Sequence, residues 1–247
     1  MATFYVKNEQ IKEKTVAIIG SDVNHIKNVL RFNLKDIIYV CDEKGIKYKA
    51  RIEKYTNAGE ILCNIEEIVE KNSETFYEIT LFQGIPKGDK MELIIQKGTE
   101  LGVSSFIPVQ MARSIAKIND KNEKKKLERW NKIANEASKQ CGRQRLPIVN
   151  KVINFENIIE NISKYDIVLV PYENEQNVNI KQTLKNLKSN NIASIAIVIG
   201  PEGGFSDEEI GLLEGNGASI CTLGPRILRT ETAGIATVSM INYEYEL

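Results

Sequence analysis

The chain has 247 residues, 42% of them hydrophobic, and its 33 basic and 33 acidic side chains give a formal net charge of zero. That is material for one large core, or a core with a small satellite, and the charge balance excludes a uniformly basic nucleic-acid binder while leaving room for local patches. No apolar stretch has the length of a membrane helix and the first residues lack the pattern of a signal peptide, so a cytoplasmic location is expected.

The first seventy or so residues carry short β-rich runs at 16–19, 36–41, 48–52 and 61–65, punctuated by Gly20, Gly45 and Gly59. This spacing predicts a small β-barrel. Between the first two runs, 21–31 reads as a helix opened by Ser21 or Asp22 as cap. The polar stretch 66–75 is the best linker, which places a boundary near Asn72 and predicts domains over 1–72 and 73–247.

Beyond it, apolar runs alternate with helical patterns: strand 79–83, helix 89–101, strand 106–109. That order predicts β-α-β units and a parallel sheet. Asp89 and Glu92 have the spacing of a capping box, with Gly102 as the stop. A longer helix is expected after the basic run Lys124, Lys125 and Lys126, with Leu127, Trp130, Ile133, Ala134, Ala137 and Cys141 on one face. Strands at 166–170 and 195–199 follow, and Ser206 with Glu209 predicts a capped helix flanked by Phe205 and Ile210. The four cysteines are scattered and only one histidine is present; they read as reduced core thiols, with neither metal site nor disulfide framework.

Nucleotide-binding glycine motifs, the zinc-protease motif and the nucleophile-elbow motif are all missing. What remains is a glycine loop, Ile199, Gly200, Pro201, Glu202, Gly203, Gly204, directly after an apolar strand, where main chain can approach a ligand closely. The other reading of it is an ordinary tight turn. A second loop runs from Leu223 and Gly224 through Ile227, Leu228, Arg229, Thr230 and Glu231 to Ala233. Its stiff aliphatic pair suits a pocket lining, whereas Arg229 and Glu231 could equally form a structural ion pair. The cluster 140–145, containing Arg143 and Arg145, suits phosphate or base contacts.

The segments HIKNVLR, QKGTELGV, EASKQCGRQRLP, IGPEGGFSDEE and LGPRILRTETA, in this order and covering essentially the whole chain, resemble the RsmE family of 16S ribosomal RNA (uridine N3) methyltransferases of the SPOUT superfamily. The resemblance implies an α/β fold: a C-terminal parallel-sheet SPOUT domain with a deep trefoil knot, preceded by an N-terminal PUA-like β-barrel that binds RNA. It also implies S-adenosyl-L-methionine as cofactor, held by loops that here match 170–175, from Val170, 199–204 and 223–233. A homodimer, 16S rRNA or the small subunit as partner, and no metal are further implications.

Methylation at an imide nitrogen requires loss of its proton. Glu231 is the first candidate for the base and Glu202 the second, with Arg229 stabilising charge on the uracil oxygens. His25, Lys27, Arg31, Arg113, Arg143 and Arg145 are the expected RNA contacts. The rival readings are ribose 2′-O methylation and a non-catalytic RNA-binding or ribosome assembly factor.

Overall fold

The computed structural model describes residues 3–70, 73–118, 120–187 and 192–246, so the boundary expected near Asn72 lies outside the described residues. The chain divides into two compact units, 1–74 with 138–145, and 75–137 with 146–247.

The first unit contains β1 (Thr3–Tyr5), β2 (Ile11–Lys12), β3 (Thr15–Ile18), α1 (Ser21–Asn24), β4 (Ile37–Cys41), β5 (Lys47–Tyr55) and β6 (Ile61–Ile68). Its sheet order is β1-β4-β5-β6-β3-β2. All pairings are antiparallel except β1 with β4. Strand periodicity puts Val16 and Ile18, Ile38 and Val40, Ala50 and Ile52, and Ile61 and Cys63 on one buried face, covered by Ile26. Each large aliphatic side chain removed from water there contributes ~1.5–3 kcal/mol.

The helix expected over 21–31 differs from the observed one. Only α1 is α-helical, a wider π-type turn follows over His25–Val29, and no side chain caps it. Gly20, at φ +70°, holds the cap position instead, because that left-handed backbone is one a β-carbon disfavours.

Residues 138–145, assigned to the large domain on sequence, complete the first unit. Arg143 is only 4% exposed. Its Nε donates to both Glu74 oxygens at 3.0 and 2.9 Å, its Nη2 lies 2.7 Å from Oε2, and the Gln144 and Arg145 N–H groups donate to Oε1 at 2.7 and 3.2 Å. The Arg143 carbonyl accepts the Tyr5 hydroxyl at 2.7 Å. Arg143 is therefore a buried structural cation, which corrects its assignment as an RNA contact. A second correction concerns Cys141, which is exposed; Cys41, Cys63 and Cys221 are buried, and burial pushes each of those three thiols up to about 12.

The second unit contains β7 (Glu78–Gly84), α2 (Lys90–Glu100), β8 (Ser105–Gln110), α3 (Asp120–Cys141, whose last turn belongs to the first unit), β9 (Ile148–Val149), β10 (Ile153–Asn154), α4 (Glu156–Asn161), β11 (Ile167–Pro171), α5 (Ile180–Leu187), β12 (Ser194–Ile199), α6 (Asp207–Gly215), β13 (Ser219–Cys221) and α7 (Thr230–Tyr245). The sheet order is β10-β8-β7-β12-β11-β13, with β9 on β8, and every pairing is parallel. In β12, Ile195, Ile197 and Ile199 face the cluster formed with α2, α3, α5 and α7, while Ala196 and Val198 face the one formed with α4 and α6. Burial on both faces explains why this strand reads as an unbroken apolar run.

Two helix starts with the same sequence signature behave differently. At α6, the Ser206 Oγ accepts the Glu209 N–H at 3.1 Å and Glu209 Oε2 accepts the Ser206 N–H at 2.8 Å, while Phe205 and Ile210 pack in the same cluster. At α2, Asp89 makes no side-chain cap. Glu92 is drawn instead to Arg129 of α3, 2.7 Å away. The basic run 124–126 lies inside α3, which starts earlier than expected. Among the described residues no helix is long and apolar enough to cross a membrane.

Candidate active site

Strands β12, β11 and β13 are neighbours, so the loops that leave their C-terminal ends converge, as parallel sheets require. Between them lie two adjoining cavities of about 550 and 330 Å³ that share Pro171, Glu173, Ile227, Leu228 and Ala233. The loop after β11 gives the larger one Tyr172, Glu175 and Gln176, and the loop after β13 gives it Leu223, Gly224 and Arg226. The smaller one is walled by Ile199, Gly200, Pro201, Glu202 and Gly204 after β12, by Arg229 and Thr230 at the start of α7, and by Lys90.

Most of the expected cofactor residues are thus brought together, with two exceptions. Val170 is fully buried behind the loop, in the core shared with α4 and α6. Gly203 lines neither cavity; a β-carbon there would meet Arg113 Cβ at 2.9 Å, and its carbonyl accepts Arg113 Nη1 at 3.2 Å.

Local geometry fixes the walls. The Gly204 N–H donates to the Pro201 carbonyl at 2.9 Å, and Gly204 has φ +66°, so a glycine is needed where the chain doubles back. Thr230 Oγ1 donates to the Gly200 carbonyl at 2.6 Å and accepts Gln83 Nε2 at 2.8 Å. Gln83 is wholly buried, and its Oε1 has no hydrogen-bond partner. This chain of bonds ties the ends of β7 and β12 to α7. A β-carbon on Gly84 would meet Pro201 Cδ and N at 2.6 Å. Gly84→Ala therefore has to push the β12 loop away, and equilibrium unfolding should show a loss of about 1–3 kcal/mol, the usual cost of overpacking.

The charged groups have defined partners. Glu202 accepts Lys90 Nζ at 2.8 Å and the Lys87 N–H at 3.1 Å. Burial alone would raise its carboxyl, yet the hydrogen bonds from Lys90 and main-chain N–H groups outweigh this and hold it below the usual carboxylate range. Glu231, 12% exposed, has Oε2 3.5 Å from Lys90 Nζ, and that oxygen is buried without a hydrogen bond. Arg229 is exposed and pairs with neither glutamate; among the described residues its guanidinium has no partner. Glu231 is paired with Lys90, so the structural Arg229–Glu231 pair does not form.

Lys90, Gln83 and Glu173 escaped the sequence reading. Lys90 looks like one more helix-start lysine until Glu202 and Glu231 are placed beside it. An apolar run containing a glutamine was the one local sign of Gln83. Of the expected RNA residues, His25, Lys27 and Arg31 share one stretch of the first unit, with His25 edge-on to Phe4 and Lys27 over the Tyr55 ring. Arg145 is exposed in that unit with its side chain against Gly45, and Arg113 belongs to the second unit.

Residues 72–242 match the family model described as an RNA methyltransferase domain, and 18–66 match an RNA methyltransferase PUA domain. Ribosomal RNA small subunit methyltransferase E of Bacillus subtilis is 40% identical over 97% of this chain and 94% of its own length. The chain belongs to the ribosomal RNA small subunit methyltransferase E family. Among solved structures, the methyltransferase E of Neisseria gonorrhoeae bound to S-adenosyl methionine superposes with a TM-score of 0.85 at 28% identity, covering 99% of this chain and 98% of that one. A Legionella pneumophila methyltransferase in complex with the cofactor SAM gives 0.84 at 29% identity, covering 98% and 97%. The methyltransferase E family accounts for both units: a PUA domain in the first and an all-parallel α/β methyltransferase domain in the second.

Proposed function

We propose that this chain is an S-adenosyl-L-methionine-dependent methyltransferase that modifies N3 of a uridine in 16S rRNA of the small subunit, acting in the cytoplasm as a homodimer without a metal. The observation that carries this reading is the pair of adjoining cavities walled by the loops after β11, β12 and β13. The residues suit such a cofactor. Ile227 leaves 84% of its surface exposed at the cavity shared by both loops, an apolar surface suited to a flat base. The Glu173 carboxylate lies against Gly204, where a β-carbon would collide with it, and a carboxylate there suits a cation.

Gly200, Gly204, Leu223, Gly224, Ile227, Leu228, Thr230 and Ala233 would hold the cofactor, together with Ile199, Pro201 and Glu173. When bound, it supplies an electrophilic methyl group and a neutral thioether leaving group. The chain's own work is to remove the imide proton and stabilise the resulting charge. Glu231 remains the first candidate for the base, since Glu202 already accepts two donors, the Lys87 N–H and the Lys90 ammonium. Arg229, with no internal partner, suits the uracil oxygens. The hydrogen bonds of Thr230 with Gly200 and Gln83 hold the start of α7 against β7 and β12, and a deep trefoil knot in this unit belongs to the same reading.

Lys27 and Arg31 on the first unit, with His25, Arg145 and Arg113, form the RNA contacts in this reading. Binding to rRNA should then weaken steeply with salt, and Lys27→Ala or Arg31→Ala should each lower the log–log slope by about 0.7–0.9; equal slopes in wild type and variants would remove these contacts. The whole reading is tested by incubating the protein with labelled donor and small subunits lacking the modification, then locating the methyl group by mass spectrometry. A label on a ribose, or none, defeats it.

A further inference from the structure

Gln83 stands next to last in β7, wholly buried, and lines neither cavity. Its Nε2 donates to the Gly84 carbonyl at 3.0 Å and to Thr230 Oγ1 at 2.8 Å. A carbonyl oxygen can only accept, so the nitrogen has to face Gly84 and the amide has one orientation. That orientation leaves Oε1 buried without a hydrogen bond. A β-carbon on Gly234 would stand 3.5 Å from it, and 3.7 and 3.8 Å from Leu81 Cδ2 and Ile199 Cγ1, so the oxygen is turned toward apolar neighbours. Stranding an acceptor there costs the fold about as much as the hydrogen bonds of the nitrogen return. A residue that gains the fold so little, placed directly behind a cavity wall, points to a task at that wall.

What the amide accomplishes is directional. The Thr230 hydroxyl has a single proton, and Gln83 Nε2 already donates to its oxygen, so that proton goes to the Gly200 carbonyl, 2.6 Å away. Donation into the hydroxyl also polarises it and strengthens the bond it makes in turn. Thr230 and Gly200 both line the smaller cavity, one at the start of α7 and the other on the loop after β12. Gln83 thus fastens the two walls to each other from the side opposite the ligand. The same seam is packed without slack at Gly84, where a β-carbon would meet Pro201 at 2.6 Å.

We propose that Gln83 is a positioning residue for the methyl donor: by donating to Thr230 it holds that hydroxyl on the Gly200 carbonyl, and so keeps the loop after β12 and the first turn of α7 at the separation the donor needs, an inference that rests on the methyl-transfer reading above. Gln83 touches neither donor nor target base and moves no proton. Its contribution is preorganisation. A wall already fixed before the donor arrives spares the binding step the ordering of two chain segments.

The test is calorimetry of S-adenosyl-L-methionine binding to the intact chain, with melting temperatures measured beside it. Gln83→Met keeps the volume and removes both the donor and the stranded oxygen. Its Kd should rise about 10-fold, the equivalent of one hydrogen bond, while its melting temperature moves by no more than a few degrees; Gln83→Leu should behave in the same way. Thr230→Val should weaken binding to a similar extent, and Thr230→Ser, which restores the hydroxyl, should recover most of that loss. Because Gln83 acts through Thr230, the double variant Gln83→Met/Thr230→Val should lose about 10-fold again and not the product of the two single losses. An unchanged Kd in both Gln83 variants overturns the proposal. So do losses that multiply, and so does equal binding by Thr230→Val and Thr230→Ser, a comparison that stands even if neither Gln83 variant folds. Wild-type protein that binds no donor sinks the methyl-transfer reading itself, whereas wild-type binding matched by both Gln83 variants sinks only the role of Gln83.

Discussion

Arg229→Ala is expected to lower the single-turnover rate of methyl transfer by roughly 10²–10³-fold, the usual effect of removing one donor aimed at developing charge. Arg229 is the one guanidinium among the described residues lining the smaller cavity. It sits at the N-cap of α7, and its main chain is fixed by the Ala233 N–H, which donates to the Arg229 carbonyl at 2.8 Å. The side chain projects from a rigid point and has no internal partner to release. Its removal should therefore change stability by no more than about 0.5 kcal/mol, as for other exposed positions. Rapid-quench measurement with labelled donor at saturation isolates the chemical step. A near-normal rate in Arg229→Ala would discard its role in stabilising the uracil anion.

The largest expected loss of stability comes from Glu74→Ala, at about 3–5 kcal/mol, because it strands the buried Arg143 charge. Glu74→Gln, which keeps an acceptor, should lose less. The same pair predicts a pH dependence. Burial would raise the Glu74 carboxyl, but the Arg143 guanidinium and the Gln144 and Arg145 N–H groups outweigh it and hold it below the usual range. A carboxyl depressed in the folded state contributes its full stabilisation above the unfolded value, about 4.3 for a glutamate, and loses it as pH falls through the folded value. The first unit should therefore weaken below about pH 4, and Glu74→Gln should flatten that limb. Amide exchange resolved by residue is the suitable measurement, since two units need not unfold together.

The parts of the fold legible in the sequence are those whose causes are local. Ser206 and Glu209 satisfy each other within one turn, so their spacing was sufficient information. Asp89 and Glu92 have the same spacing and fail, because Arg129 from another helix competes for Glu92. The three residues of β1 are too few to show alternation, and their pairing with β4 spans more than thirty residues. Arg143 read as a solvated, RNA-facing cation since its partner, Glu74, lies 69 residues earlier.

The candidate site shows the same division. Glycines at a strand end and an aliphatic pair in a loop announce a cavity wall within a few residues. Lys90 acquires its meaning from carboxylates 112 and 141 positions away, the first separation being that of its bond to Glu202 and the second that between Lys90 and Glu231. No window along the chain contains both.

Residues 138–145 complete the first unit although 75–137 intervene. During synthesis the amino-terminal body therefore cannot finish assembling when its own strands emerge; the Tyr5 hydroxyl and the Glu74 carboxylate wait for a segment made more than sixty residues later. The six strands of that body all lie within 3–68 and can pair as they emerge, but the bonds to 138–145 that complete it form only after part of the second unit has been made.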